Sequence, residues 1–247
     1  MQPSALTALF DRGASRYDQL VGLNPGYHAE LRRAAGALAD RLPAGPVRVI
    51  DLACGSGAST RALLDALPGA AVRGLDASPG MLAQARAKRW PPGVEFGQAV
   101  AGELDVAGIG RGSWDGILAA YLFRNVAEPE RDAALAEAFA LLAPGGWLVV
   151  QEYSVAGRRS ARWLWSVVCW LLIIPLGILI DREARLYVYL WRSVLEFDTL
   201  ADFADRLAKQ GFVDIARRTA TGWQRGILHT FVARVPARDP EAGPEHR

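Results

Sequence analysis

The chain has 247 residues, of which 51% are hydrophobic, and a formal net charge of +2. This length suffices for one α/β domain with a lid, and the small charge argues against nucleic acid as a partner. Its two cysteines, Cys54 and Cys169, do not suggest a disulfide framework, and the first ten residues lack the features of a secretory signal. The sequence therefore predicts a cytoplasmic protein from a reducing compartment.

Two helices are predicted before the first strand. The first covers residues 5–20 and contains Tyr17. The second extends from Tyr27 to Leu42, where Pro43 and Gly45 end it.

The chain divides into three predicted parts. Residues 1–46 form an N-terminal helical cap, and residues 47–235 form the main domain with an apolar lid insertion at 158–195. Residues 236–247 are rich in proline, glycine and charge, so we expect a disordered tail.

The stretch Val47–Met81 organises the main domain. Val47–Leu52 is a short apolar run rich in β-branched residues, which predicts a strand buried on both faces. The glycine-rich segment Ala53–Gly57 follows, then a helical stretch and a second strand that ends at Asp76. This arrangement indicates a nucleoside site where the strands give way to helices.

The residue types in this stretch suggest the ligand. Gly55 and Gly57 permit a tight turn and let a ligand lie against bare backbone, while the next helix points its amide end at the ligand. Asp76 can accept both ribose hydroxyls. Thr60 stands where the third glycine of a dinucleotide motif belongs, and Asp51 suits a cationic amino group better than a pyrophosphate. S-adenosylmethionine is therefore favoured over NAD, and a purely structural turn is the alternative.

Five further strands complete the predicted fold. They lie at residues 94–98, 114–120, 147–153, 212–219 and 226–235. The last two form an antiparallel hairpin. We therefore predict an α/β fold with a Rossmann-like, seven-stranded, mostly parallel sheet and helices on both faces.

Four motifs resemble those of class I S-adenosylmethionine-dependent methyltransferases. They are DLACGSG at 51–57, GLDASPGM at 74–81, RNV at 124–126 and LLAPGGWLVVQEYS at 141–154. Within that class the chain is most similar to the ubiquinone/menaquinone biosynthesis C-methyltransferases. The resemblance extends over nearly the whole chain.

The resemblance implies S-adenosylmethionine as cofactor and a set of residues that bind it. These are Tyr17, Asp51, Ala53, Gly55, Gly57, Asp76, Ala77, Met81, Val100 and Ala101. The family commonly has an aspartate that contacts the adenine amine where this chain has Val100. Backbone amides at Val100 and Ala101 could serve instead, and altered chemistry on the same fold stays open.

The resemblance also implies methyl transfer to a ring carbon of a prenylated quinol. Arg124 is the first candidate for a catalytic residue, because its loop leaves the carboxyl edge of the sheet; Asn125, Tyr121 and Tyr153 are further candidates. A guanidinium stays protonated in proteins, so Arg124 would stabilise a phenolate or orient a water that relays the proton. No metal is expected, since no cluster has metal-ligand spacing.

The segment from Trp163 to Ile180 carries no charge and allows three interpretations. It could span a membrane, form a buried core helix, or act as a lid that dips into the bilayer interface. We favour the lid, because its three tryptophans suit an interfacial position and because Pro175 and Gly177 disfavour a straight spanning helix. This predicts peripheral contact with the inner face of the membrane.

Two alternatives to the quinol assignment stay open. The substrate could be another apolar phenolic or secondary metabolite. The fold could instead bind the cofactor and catalyse a non-methyl reaction on quinones. A homodimer is also considered.

Overall fold

The computed structural model describes residue 11, residues 26–181 and residues 184–238. Tyr17 and most of the predicted first helix lie outside this part of the chain. The described residues contain a seven-stranded sheet. Its strands are β1 (Arg48–Leu52), β2 (Ala71–Asp76), β3 (Val94–Gln98), β4 (Trp114–Ala120), β5 (Leu142–Tyr153), β6 (Val213–Thr219) and β7 (Leu228–Arg234).

The strand order is β3-β2-β1-β4-β5-β7-β6, and β1 to β5 are parallel. Strand β7 is antiparallel to both β5 and β6. The order reverses between β1 and β4, which places a crevice at their carboxyl ends. The predicted Rossmann-like sheet with its C-terminal hairpin is confirmed.

Helices cover both faces of the sheet. They are α1 (Tyr27–Ala39), α2 (Ala58–Ala66), α3 (Pro79–Arg86), α4 (Val106–Ile109), α5 (Arg131–Leu141), α6 (Arg159–Val168), α7 (Ile174–Asp181), α8 (Ala184–Glu196) and α9 (Leu200–Lys209). Single 3-10 turns occur at Phe123–Asn125, Glu128–Glu130 and Gly222–Gln224.

A hydrophobic core lies on each face of the sheet, and strand β4 contributes to both. Leu118 and Ala120 pack on one face with α1, α2 and the helices after β5, whereas Ile117 and Ala119 pack on the other face with α4, α5 and α9. Successive side chains of a strand point to opposite faces, so the apolar run at residues 117–120 contributes to both cores.

Local polar contacts fix the start of α3 beside the crevice. The Ser78 hydroxyl accepts a hydrogen bond from the Met81 amide at 3.1 Å, and Pro79 occupies the first helical turn, as predicted. The Asp11 carboxylate accepts from the Gly80 amide at 2.9 Å and contacts the Ser78 hydroxyl. Asp11 is therefore held at this helix end.

The segment predicted as the lid insertion, 158–195, lies between β5 and α9 and contains α6, α7 and nearly all of α8. Helix α6 continues through a π turn at Cys169–Ile173 into α7, and α8 packs back against both helices. Pro175 has no amide hydrogen and its ring crowds the carbonyl of Leu171, which lies inside the π turn. The extra residue of the turn accommodates this proline within one continuous helix.

Because of the π turn, the buried residues before and after it lie on the same side of the lid helix. Its buried side consists of Ala161, Trp165, Cys169, Ile174 and Gly177. These are four, four, five and three residues apart, and the gap of five crosses the π turn. The opposite side is exposed and apolar. It comprises Trp163, Leu164, Trp170, Leu171, Leu172, Ile178 and Leu179, which we call the lid stripe.

Among the described helices, the segment Arg159–Leu179 is long and apolar enough to cross a membrane, by length and composition alone. Only 22% of its most apolar window is buried, so the interpretation as a buried core helix is wrong.

Candidate active site

A cavity of about 260 Å³ opens at the carboxyl ends of β1, β2 and β4. Its size approaches the lower limit of about 300 Å³ for small-molecule sites. The wall is formed by Tyr27, Leu31, residues 52–56, 58–59, 76–78, 81, 99–103, 120–122, 124–126 and Glu130. Most of the predicted site residues therefore meet at one place.

The loop after β1 lies against this cavity with an unusual backbone. Ala53 and Gly55 have φ angles of 64° and 53°, a left-handed conformation that a non-glycine residue adopts only at a cost. The Ala53 and Cys54 amides both donate to the Leu75 carbonyl, at 2.8 and 3.0 Å. A Cβ added at Gly55 would meet no atom within 4 Å, so the bare backbone leaves open space for a ligand.

Asp76 joins this loop to the start of α3. Its carboxylate accepts from the Gly55 amide and the Ser78 amide, each at 2.8 Å. Burial raises the pKa of Asp76, while these two hydrogen bonds favour its charged form. Asp76 and its neighbour Ala77 line the cavity, as does Met81. We call residues 51–59 and 76–81 the cofactor cradle.

Two predicted cofactor residues have other surroundings. Asp51 is fully buried and is absent from the described cavity wall; its carboxylate accepts from Ser59 Oγ at 2.8 Å and Thr60 Oγ1 at 2.5 Å. Burial raises the pKa of Asp51 to about 7. Its other oxygen, Oδ1, accepts no hydrogen bond from the described residues, and the contact with a ligand amino group stays a prediction.

Gly57 packs closely against a side chain. It has φ of 93°, and an added Cβ would lie 2.7 Å from the Trp90 ring. Its missing side chain therefore accommodates Trp90; Gly57 is not part of the cavity wall in the described chain, and its contact with the cofactor stays a prediction. No sequence pattern near Trp90 signals this contact.

The part of the cavity predicted to hold adenine has Val100 where the resemblance implies an acid, and a different acid, Glu137, orders its loop. Val100, 37% exposed, and Ala101 line the cavity together with Glu103. The Glu137 carboxylate accepts from the Gly102 amide at 2.7 Å and the Leu104 amide at 2.9 Å. Glu137, on α5, thus holds this loop in place. Nothing in the sequence indicates this role, because Glu137 lies more than thirty residues beyond the loop.

The turn after β4 carries three of the four catalytic candidates. Tyr121 has φ of 61°, and the 3-10 turn that follows brings Arg124 and Asn125 to the cavity. Arg124 Nη1 donates to Glu152 Oε1 at 2.7 Å and to the Tyr121 carbonyl at 2.9 Å. Asn125 Nδ2 donates to the same carbonyl at 2.9 Å, and its buried Oδ1 accepts no hydrogen bond from the described residues.

Tyr153 does not line the cavity but belongs to a stack of four aromatic rings. Tyr27, Tyr121, Tyr153 and Trp165 stack in succession, with centroid separations of 5.4, 5.3 and 5.2 Å. The Tyr153 hydroxyl accepts from Gln224 Nε2 at 2.9 Å. The stack runs from the cavity to helix α6, and so connects the site with the lid.

Neither of the two described histidines lines the cavity. His28 is exposed and His229 is buried on β7, where burial lowers its pKa to about 4. In the part of the chain that the structure describes, no group of three or more His, Cys, Asp or Glu residues could hold a metal ion.

The residues present fit S-adenosylmethionine. Gly55 offers open space beside its backbone, Asp76 offers a carboxylate at the neighbouring strand end, and Met81 and Ala101 offer apolar surface. The buried Asp51 Oδ1 is an acceptor without a donor among the described residues. Together these groups match a ligand with a ribose, an aromatic base and a cationic amino acid end.

Comparisons with known proteins agree with this fit. A methyltransferase domain family matches residues 49–146. The ubiquinone/menaquinone biosynthesis C-methyltransferase UbiE of Methylobacterium nodulans is 31% identical over 219 residues, covering 87% of this chain and 85% of that protein. The demethylmenaquinone methyltransferase of Thermus thermophilus is 35% identical over 204 residues, covering 83% and 91%.

Solved structures share the fold at lower identity. The [4+2]-cyclase SpnF superposes with a TM-score of 0.67 at 16% identity, covering 94% of this chain and 95% of that chain. This likeness concerns the fold alone. The sequence relatives settle the family: the chain belongs to the ubiquinone/menaquinone biosynthesis C-methyltransferases and is an S-adenosylmethionine-dependent methyltransferase.

Proposed function

We propose that the chain methylates a ring carbon of a prenylated quinol drawn from the membrane, of the demethylmenaquinol or ubiquinone-precursor kind. The observation that carries this proposal is the position of Arg124, which lines the cofactor cavity in the turn after β4. The aromatic stack connects the same turn to the apolar lid. The names of the related proteins point to the same substrate class.

The chemistry assigns a role to each catalytic candidate. Bound S-adenosylmethionine supplies an electrophilic methyl group, so the chain's own residues must orient the ring and ease removal of its proton. An aromatic carbon attacks well only when a hydroxyl on its ring is ionised. The Arg124 guanidinium would stabilise that phenolate, and Asn125 Oδ1 would accept a hydrogen bond from a ring hydroxyl. Tyr121 and Tyr153 would shape the ring's pocket.

The cofactor would lie in the cradle. The Asp76 carboxylate would accept the ribose hydroxyls, Ala53 and Gly55 would face the amino acid end, and Met81 would pack on adenine. Ala77, Val100 and Ala101 would complete the adenine pocket through backbone amides. Asp51 and Gly57 would act indirectly, through Thr60 and Trp90. The proposed contact from Tyr17 lies outside the described residues.

The lid would bring the enzyme to its substrate by peripheral contact with the inner face of the membrane. Trp163, Leu171 and Leu179 in the lid stripe are 68%, 76% and 78% exposed. Single exposed apolar residues are ordinary, but seven on one helix face indicate an apolar partner. Exposed Arg159 and Arg162 flank the stripe and suit anionic headgroups.

A purified-protein assay tests the proposed function. The chain is incubated with S-adenosylmethionine carrying a labelled methyl group and with a demethylmenaquinol that has a short isoprenoid tail. We expect one labelled methyl on a ring carbon and one equivalent of S-adenosylhomocysteine. Absence of methyl transfer to every quinol and phenol offered would refute the proposal.

Two alternatives rest on Val100, which is apolar where related enzymes commonly carry an acid. Another apolar phenol could be the acceptor, or the fold could catalyse a non-methyl reaction on quinones. Release of S-adenosylhomocysteine separates methyl transfer from the second alternative, and product mass identifies the first. The homodimer stays a prediction, which light scattering of the purified chain checks.

A further inference from the structure

A buried carboxylate lies directly behind the proposed catalytic arginine. Glu152, at the end of β5, is completely buried. Its Oε1 accepts from Arg124 Nη1 at 2.7 Å and from the Tyr153 amide at 3.1 Å, and its Oε2 accepts from the Arg124 amide at 3.2 Å. One carboxylate therefore holds both the side chain and the backbone of Arg124.

A second buried charge supports the same turn from the opposite side. Arg131 Nε donates to the carbonyls of Phe123 and Val126, at 3.1 and 3.2 Å, and its Nη1 pairs with Asp198 at 2.7 Å. The turn at 123–126 is thus fixed between Glu152 and Arg131. This rigidity favours a role in presenting Arg124, since catalytic groups must be held to within a fraction of an ångström.

The ion pair also determines the charge that a ligand meets. The side chains of Arg124 and Glu152 are 8% and 0% exposed, so water screens neither of them well. A group beside Arg124 experiences the guanidinium together with the carboxylate behind it. Their opposite signs cancel in part, and Arg124 acts as a weakened cation.

We propose that Glu152 is a positioning residue that orients Arg124 and limits how much of its positive charge reaches the acceptor hydroxyl. This inference rests on the proposed function, because it takes Arg124 to be the group beside the phenol. It predicts that removing the carboxylate charge makes Arg124 a stronger stabiliser of a phenolate, even if geometry and turnover suffer.

Other titratable groups around the pair do not obscure this effect. Tyr189 on α8 interacts electrostatically with Arg124 and Glu152, and burial raises its pKa. The charges of Glu196 and Arg131 also act on Tyr189. His229 is the register partner of Glu152 on β7, and burial lowers its pKa to about 4. Tyr189 and His229 therefore both stay neutral between about pH 6 and 9.

The experiment is a pH titration of a bound chromophoric phenol. A nitrophenol with a short isoprenoid tail is bound together with S-adenosylhomocysteine, and its ionisation is followed by absorbance. Relative to wild type, we expect the midpoint for Glu152→Gln to fall by about one pH unit, because the nearby positive charge is no longer offset. Glu152→Asp keeps the charge and should stay near the wild-type midpoint.

Two further variants keep the test decisive if Glu152→Gln does not fold. Arg124→Gln should titrate at a higher pH than Arg124→Gln/Glu152→Gln, since only the former retains the carboxylate charge. Glu30→Gln, at another buried glutamate that pairs with an arginine, is the matched control and should leave the midpoint unchanged.

The outcomes separate the two proposals. Equal midpoints for wild type and Glu152→Gln, or for the single and double Arg124 variants, would overturn the inference, as would failure of the probe to bind. If the midpoints shift as described but no quinol is methylated, the inference stands and the proposed function fails.

Discussion

The cofactor cradle and the lid differ in how far the rest of the chain pairs or covers their side chains. In the cradle, Asp51 and Asp76 each accept two hydrogen bonds from neighbouring groups, and the strained Ala53 is held by the Leu75 carbonyl. In the lid, one helix face packs inward while the opposite face leaves Leu171 and Leu179 more than three-quarters exposed. In the cradle only Asp51 Oδ1 lacks a hydrogen-bond partner among the described residues, whereas in the lid stripe those residues leave most of the surface of Leu171 and Leu179 uncovered.

This difference separates two functions that the fold must combine. Binding a charged nucleoside requires fixed polar groups, which the sheet edge supplies. Collecting a lipid requires an apolar surface that is stable only against another apolar phase. The stack from Tyr27 to Trp165 joins the two regions. Substitutions in each region should therefore have separable effects.

The largest effect is expected at Arg124, where the two regions meet. Arg124→Gln should lower kcat by about a thousandfold, because the phenolate loses its main electrostatic partner. Affinity for S-adenosylmethionine, measured by calorimetry, should stay within about twofold. Arg111→Gln, on an exposed turn, is the control. A variant with near-normal kcat would remove Arg124 from the proposed mechanism.

The next effect concerns the lid alone. Leu171→Asp/Leu179→Asp should reduce binding to phosphatidylglycerol vesicles by about a hundredfold, since two exposed apolar side chains lose their contact with lipid. Turnover of a short-chain, water-soluble quinol should be retained. Cosedimentation with vesicles measures the loss of binding, and the methylation assay measures the retained turnover.

Val213→Asp provides the matched control for the lid, because Val213 is 38% exposed on the edge strand β6. Its vesicle binding should equal that of wild type. Equal loss for Val213→Asp and the lid variant would show that added negative charge, and not the lid stripe, governs the contact.

A pair of glycines sharpens the comparison further. Gly57→Ala would place a Cβ against Trp90 in a left-handed backbone, and should cost about 2 kcal/mol of stability and about tenfold in cofactor affinity. Gly177→Ala would crowd the Tyr187 ring within the lid, and should loosen the lid without changing cofactor affinity. Thermal unfolding and calorimetry measure both; equal losses of cofactor affinity would contradict the separation.

The smallest effect concerns the sheet beneath both regions. Burial lowers the pKa of His229 to about 4, below its unfolded value of about 6.5. The unfolded chain thus takes up the proton first as the pH falls. Stability should be lost from about pH 6.5 downward, by about 2 kcal/mol at pH 5. Denaturant titrations of His229→Gln should show a flatter pH dependence; an unchanged slope would exclude His229 as its source.

Local patterns were sufficient to predict the sheet, and most of the predicted site residues line the cavity. The glycine-rich loop after β1, the acid at the end of β2 and the RNV turn are contiguous motifs, and parallel strands bring their carboxyl ends together. The Ser78 cap and the strand Trp114–Ala120 follow from the same short-range rules.

The remaining features depend on contacts between distant positions. Three such contacts join residues that are 28 to 35 positions apart: Gly57 with Trp90, Glu137 with the 102–104 loop, and Arg124 with Glu152. Composition carries no sign of such pairings. The burial of Asp51 is another such feature, because it depends on how α2 packs.

The most direct test of the central claim is the mass of the quinones in cells with and without the gene. If the chain is a quinol C-methyltransferase, cells without the gene should accumulate a quinone lighter by one methyl group, and Arg124→Gln should not restore it. Unchanged quinone masses in the absence of the gene would contradict the account.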